Sequence, residues 1–171
     1  ITVTPVNDAP SFAALANQTV AEDAGAQTLA GFTTVAPGGG IDEAGQIFSY
    51  TVTNDNNALF TVQPTIAADG TLSYTTAPNL SGAATVTVFV TDSGGTANGG
   101  VATTGPRTFT ISATPVADAP TLTVTPAAGN EDTAIALSVA HSLADTDGSE
   151  TLALTVSAIP VGATLSDGVN A

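Results

Sequence analysis

The 171-residue sequence has no cysteine, methionine, tryptophan or lysine, and Arg107 is its only base. Without cysteine there is no disulfide scaffold and no thiolate metal site. One base against fifteen acids excludes electrostatic binding to nucleic acid, where phosphate contacts need Lys and Arg. Aromatics are scarce as well, at two Tyr and six Phe. Paired carboxylates can serve a glycosidase, but so few rings cannot line a sugar cleft. No apolar run reaches the roughly 18 residues that span a bilayer as a helix. No leader peptide is visible either, as expected of an internal fragment. The sole histidine, His141, has no triad partner in sequence, so the chain is expected not to be an enzyme.

What is present is small and β-branched. Thr, Val, Ala and Gly dominate a chain that is 43% hydrophobic, a composition of strands and turns. The formal charge is −14. A merely solvated surface would scatter its acids, whereas these gather in short clusters at turns. Such self-repulsion calls for solvent, salt or bound cations.

One stretch organises the rest. Thr4-Pro5-Val6-Asn7-Asp8-Ala9-Pro10 returns as Thr114-Pro115-Val116-Ala117-Asp118-Ala119-Pro120, with Ile1 matched by Ile111. A period of 110 residues is one domain long, so the two copies read as joints of a tandem array. The expected division is 1–6 as the last strand of a preceding repeat, 7–116 as a complete domain, and 117–171 as the first half of another.

Within 7–116 seven strands are expected, at 11–20, 27–35, 46–54, 58–66, 71–75, 83–91 and 107–113. Phe48, Tyr50 and Val52 alternate with Ser49, Thr51 and Thr53, and Val86, Val88 and Val90 with Thr85, Thr87 and Phe89. Period two marks half-buried strands. Pro64 suggests an edge, Asp69-Gly70 a hairpin, and Asn98-Gly99 the tip of a long Gly-rich connection. That connection lacks the strand-to-helix setting of a phosphate cradle. The pattern predicts an all-β fold of tandem Greek-key β-sandwiches, the second truncated. In the second repeat strands are expected at 121–126, 134–139 and 151–157. The apolar face of Leu152, Leu154 and Val156 would lack cover, leaving this half poorly stable alone.

Calcium takes six to eight oxygens from carboxylates, carbonyls and amides. Acidic turns at one end of a sandwich supply such a set. Asp145 and Asp147 stand two apart, with Gly148 to relieve the backbone, though the spacing is not that of an EF-hand. Asp55, Asp69 and Asp167-Gly168 read as ordinary turn residues.

Val6-Asn7-Asp8-Ala9-Pro10-Ser11-Phe12 resembles the cadherin linker motif, Asn-Asp-Asn-Ala-Pro followed by an aromatic. The Glu-Asp-Thr and Asp-Thr-Asp-Gly-Ser-Glu segments, in a Thr-rich, Lys-poor and cysteine-free chain, are similar to the cadherin-like Ig repeats of large bacterial RTX or biofilm-type adhesins. The resemblance implies Ca²⁺ at each joint, a rigid stalk, type I secretion and an extracellular, cell-surface place. It implies neighbouring repeats as partners, with surface or matrix ligands bound through other domains.

Carried over, the second joint would draw on Glu22 with Asp23, on Asp118, and on Asp145 and Asp147. The first would draw on Asn7 and Asp8, on Asp42 and Glu43, and on Asp92. Asp42-Glu43 departs from Asp-x-Asp, and Ala117 stands where the linker has Asn, so each site is expected to be reshaped. The glutamate of the family's Asp-Arg-Glu motif has no counterpart, and Glu131-Asp132 would belong to a third joint. The competing reading is a carbohydrate- or protein-binding module appended to a secreted enzyme, which would carry an exposed patch unrelated to the joints.

Overall fold

Alternation of Val with Thr builds the centre of the molecule. In the computed structural model, which describes residues 1–145, 148 and 150–166, the stretch 11–114 forms nine strands on this pattern. In chain order these are β1 (Ser11–Phe12), β2 (Gln18–Ala21), β3 (Ala26–Leu29), β4 (Val35–Ala36), β5 (Phe48–Asn54), β6 (Phe60–Ile66), β7 (Leu72–Thr76), β8 (Gly82–Asp92) and β9 (Thr103–Thr114). Two more follow the second linker, β10 (Thr121–Thr125) and β11 (Ser138–Ser142). The described residues contain no α-helix, only short 3-10 turns.

One sheet has the order β2-β9-β8-β5, and a second has β3-β7-β6. β8 runs antiparallel to both β5 and β9, while β2 lies parallel to β9. Val86, Val88 and Val90 of the first sheet and Leu72 and Tyr74 of the second bury into one shared core. The arrangement is consistent with a β-sandwich. Full burial of such side chains contributes about 1.5–3 kcal/mol each. Phe32 packs on Phe109 and Phe60 on Tyr74 within or against this core. Arg107, the only base, lies over the Phe12 ring at 5.3 Å.

Several expected strands are divided. The stretch 11–20 splits because β1 pairs with β4 while β2 joins β9, so the chain changes sheets between them. The stretch 27–35 likewise breaks into β3 and β4, with Gly31 at φ +66 between. Residues 1–116 therefore hold nine strands rather than seven. β6 is an edge strand with two register irregularities, one between Phe60 and Val62 and one between Val62 and Thr65 that spans Pro64, where the N–H is missing. At the β6–β7 turn Gly70 has φ +80, and a Cβ there would stand 1.9 Å from the Thr33 carbonyl oxygen.

After the second linker β10 pairs with β11 in place of the expected 134–139. The expected strand at 151–157 is not formed, since a period-two pattern becomes a strand only when a neighbour accepts its ladder. Leu122, Val124, Leu154 and Val156 are exposed.

Candidate functional site

The first linker is held by the loops that follow it in the chain. A 3-10 turn at Ile41–Glu43, closed by Glu43 N–H on the Gly40 carbonyl, leaves Asp42 exposed and turns Glu43 inward. Glu43 is only 2% exposed, and its Oε1 accepts the Asp8 backbone N–H at 3.1 Å. The Gln46 amide donates to Glu43 Oε2 and, at 2.6 Å, to Asn7 Oδ1. Asn7 donates to Asp92 Oδ1, the Gly95 carbonyl and the Val101 carbonyl, each at 3.0 Å. Asp92, 6% exposed, also accepts the Gly94 N–H at 2.9 Å. A buried carboxylate is costly unless hydrogen bonds compensate it; both oxygens of Glu43 and Oδ1 of Asp92 are compensated by the linker and its neighbours.

Asp42, Glu43, Gln46, Asn7 and Gly94 line an open cleft of about 190 Å³. Gly94 is forced by proximity, since a Cβ there would lie 1.9 Å from Asn7 Oδ1. Asp8 is exposed, its carboxylate lying where a side chain at Gly39 would have stood, and its Cβ and backbone where one at Gly38 would.

The second linker is gripped from both sides. Glu22, at the end of β2 and 1% exposed, accepts the Val116 N–H at 2.6 Å. Its backbone is fixed too, by its N–H on the Thr114 carbonyl and by the Thr76 hydroxyl on its own carbonyl. From the following segment, Glu150 Oε1 accepts the Asp118 N–H at 2.7 Å. Asp145 is 2% exposed. Asn79 bridges the two segments, its N–H on Asp23 Oδ1 at 3.3 Å and its amide on the Ala144 carbonyl at 3.0 Å. Asp147 lies outside the described residues, as does Asp167-Gly168.

The two linkers share a contact that their sequences share. Asp8 N–H on Glu43 and Asp118 N–H on Glu150 are the same bond in the two copies, spanning 35 and 32 residues. Glu150 and Gln46 were not among the expected site residues. The signal for Glu150 was its place in sequence at the end of Asp145-Thr146-Asp147-Gly148-Ser149-Glu150, the stretch that matches residues 41–46.

The expected ligands thus gather around the linkers, but chiefly as acceptors for backbone and amide N–H groups. Among the described residues no three His, Asp or Glu side chains group closely enough to hold a metal ion. Two buried carboxylate oxygens, Asp92 Oδ2 and Glu150 Oε2, have no hydrogen-bond partner among the described residues. An all-oxygen set with such atoms fits a hard cation in chemistry. Asp55 and Asp69 hold backbone N–H groups instead, those of Thr85 at 2.7 Å and Thr71 at 3.0 Å. The Thr71 bonds keep the Asp69 carboxyl below its ordinary range. Comparisons with protein-family models, with curated proteins and with solved structures find no match for this chain.

Proposed function

We propose that the chain is a calcium-stiffened module of tandem cadherin-like, Greek-key sandwiches, serving as an extender stalk in a bacterial surface or secreted adhesin. The supporting observation is that carboxylates from both flanking segments, Glu22 and Glu150, converge on linker residues Val116 and Asp118. Acids drawn from two units onto one short linker repel, and a divalent cation would cancel that repulsion and stiffen the joint. Asp118, Glu150, Asp145 and Glu22, with Asp147, would hold it at the second joint. Glu43, Asp92, Asp42 and Asp8 would do so at the first. The net charge of −14 favours the same reading.

Extracellular calcium modules bind at about 10⁻⁴–10⁻³ M, so only calcium-rich surroundings would saturate these sites. A hundredfold excess over the dissociation constant adds about 2.7 kcal/mol to folded stability. Calorimetric titration of the purified protein with Ca²⁺ and separately with Mg²⁺ tests the proposal. Saturable calcium binding that Glu150→Gln weakens supports it; an identical flat response to both ions defeats it.

A further inference from the structure

The two linkers differ at one position of seven, and that position carries the most hydrogen bonds of the first linker. Asn7 uses every polar atom of its side chain. Its two amide hydrogens serve three acceptors, Asp92 Oδ1, the Gly95 carbonyl and the Val101 carbonyl, so one is shared. Its Oδ1 is occupied by the Gln46 amide at 2.6 Å, and its backbone carbonyl accepts the Val101 N–H at 2.8 Å. Gly94 and Gly100 let the loop approach, since a Cβ on Gly94 would overlap Asn7 Oδ1 and one on Gly100 would stand 3.0 Å from Asn7 Cβ. The second linker has Ala117 here, whose side chain can neither donate nor accept.

We propose that Asn7 is a positioning residue that clasps the first linker to the 93–102 loop by hydrogen bonds needing no cation, a clasp that the second linker, with Ala117 at this position, does not have. This goes beyond the calcium reading and does not rest on it. An amide is the right group for the task. It donates to the buried Asp92 carboxylate and accepts from Gln46 at once, where an aspartate would set a second negative charge against Asp92.

Hydrogen exchange on the purified chain, with chelator present throughout, tests it. The wild type is expected to protect the N–H groups of Val101, Gly94 and Asp8 without calcium. Asn7→Ala and the isosteric Asn7→Asp should each speed exchange at Val101 and Gly94 by about tenfold, as for loss of a net hydrogen bond. Amides of β8 and β9 should be unchanged, which separates the clasp from general unfolding. Adding Asp92→Asn to Asn7→Asp restores a donor–acceptor pair and should recover part of the protection. Wild-type exchange in Asn7→Asp would overturn the proposal. So would protection of Val101 and Gly94 that appears only with calcium.

Discussion

The carboxylate of Glu22 accepts the backbone N–H of Val116 at 2.6 Å, across 94 residues of chain. Because β2 lies parallel to β9 and ends beside Thr114, the first glutamate after β2 stands at the root of the linker that β9 leads into. Parallel pairing at a sheet edge thus becomes control over the direction in which the chain leaves the fold. Glu22→Ala removes a buried charged acceptor and should cost about 1–3 kcal/mol in denaturant unfolding. Glu22→Gln keeps an acceptor at the same place and should cost less. Equal losses in the two variants would show that the Val116 bond contributes little.

Gly94 makes a second case, where a backbone position is set by a side chain from elsewhere. Gly94→Ala forces its new methyl onto Asn7 Oδ1, and the overlap must be relieved by moving the loop or the linker. A destabilisation of about 1–3 kcal/mol is expected, as for overpacked sites. Gly45→Ala, with nothing near its position, serves as the neutral comparison. Similar melting temperatures for both variants would contradict the close packing of Asn7 against the loop.

Core and surface should separate cleanly. Leu72 is fully buried in β7, and Leu72→Ala should cost about 2–5 kcal/mol by chemical denaturation. Thr108 is exposed on the outward face of β9, and Thr108→Ala should stay within about 0.5 kcal/mol of wild type. A small effect at Leu72 would contradict the shared core of the two sheets.

Alkali should weaken the fold through tyrosine. Burial raises the Tyr74 hydroxyl above its ordinary value, and burial followed by the nearby Asp69 charge raises that of Tyr50. Above pH of about 10 the unfolded chain loses these protons first, so it binds fewer than the folded one, and stability falls as pH rises. Below that pH the contribution is fully present. Melting temperature followed alongside tyrosinate absorbance should show the two falling and rising together, and Tyr74→Phe should flatten the decline. A decline unchanged in Tyr74→Phe would assign it to other groups.

How far the sequence reached can be judged from particular elements. The alternation in β5, β7, β8 and β9 was legible because each strand has one face on the core and one outside, and Pro64 marked its edge for want of an N–H. The break between β1 and β2 was not legible. Nothing local in 11–20 tells that its two ends pair with different sheets. At the joints, the repeat pointed to Asn7, Asp8 and Asp118 directly. Gln46 and Glu150 escaped because their roles depend on loops brought to the linker from 39 and 32 residues away. Asn7, expected as a ligand, has its side-chain oxygen occupied by Gln46, a relationship that no spacing rule contains.

The central claim is that a cation stiffens the second joint, and one titration tests it most directly. Calcium would be added to the wild-type protein and to Asp118→Ala, with melting temperature and the maximum dimension from small-angle scattering followed together. The account predicts that both quantities rise over about 10⁻⁴–10⁻³ M calcium in the wild type and that Asp118→Ala loses the rise. Flat curves for the wild type, or an equal rise in Asp118→Ala, would contradict it.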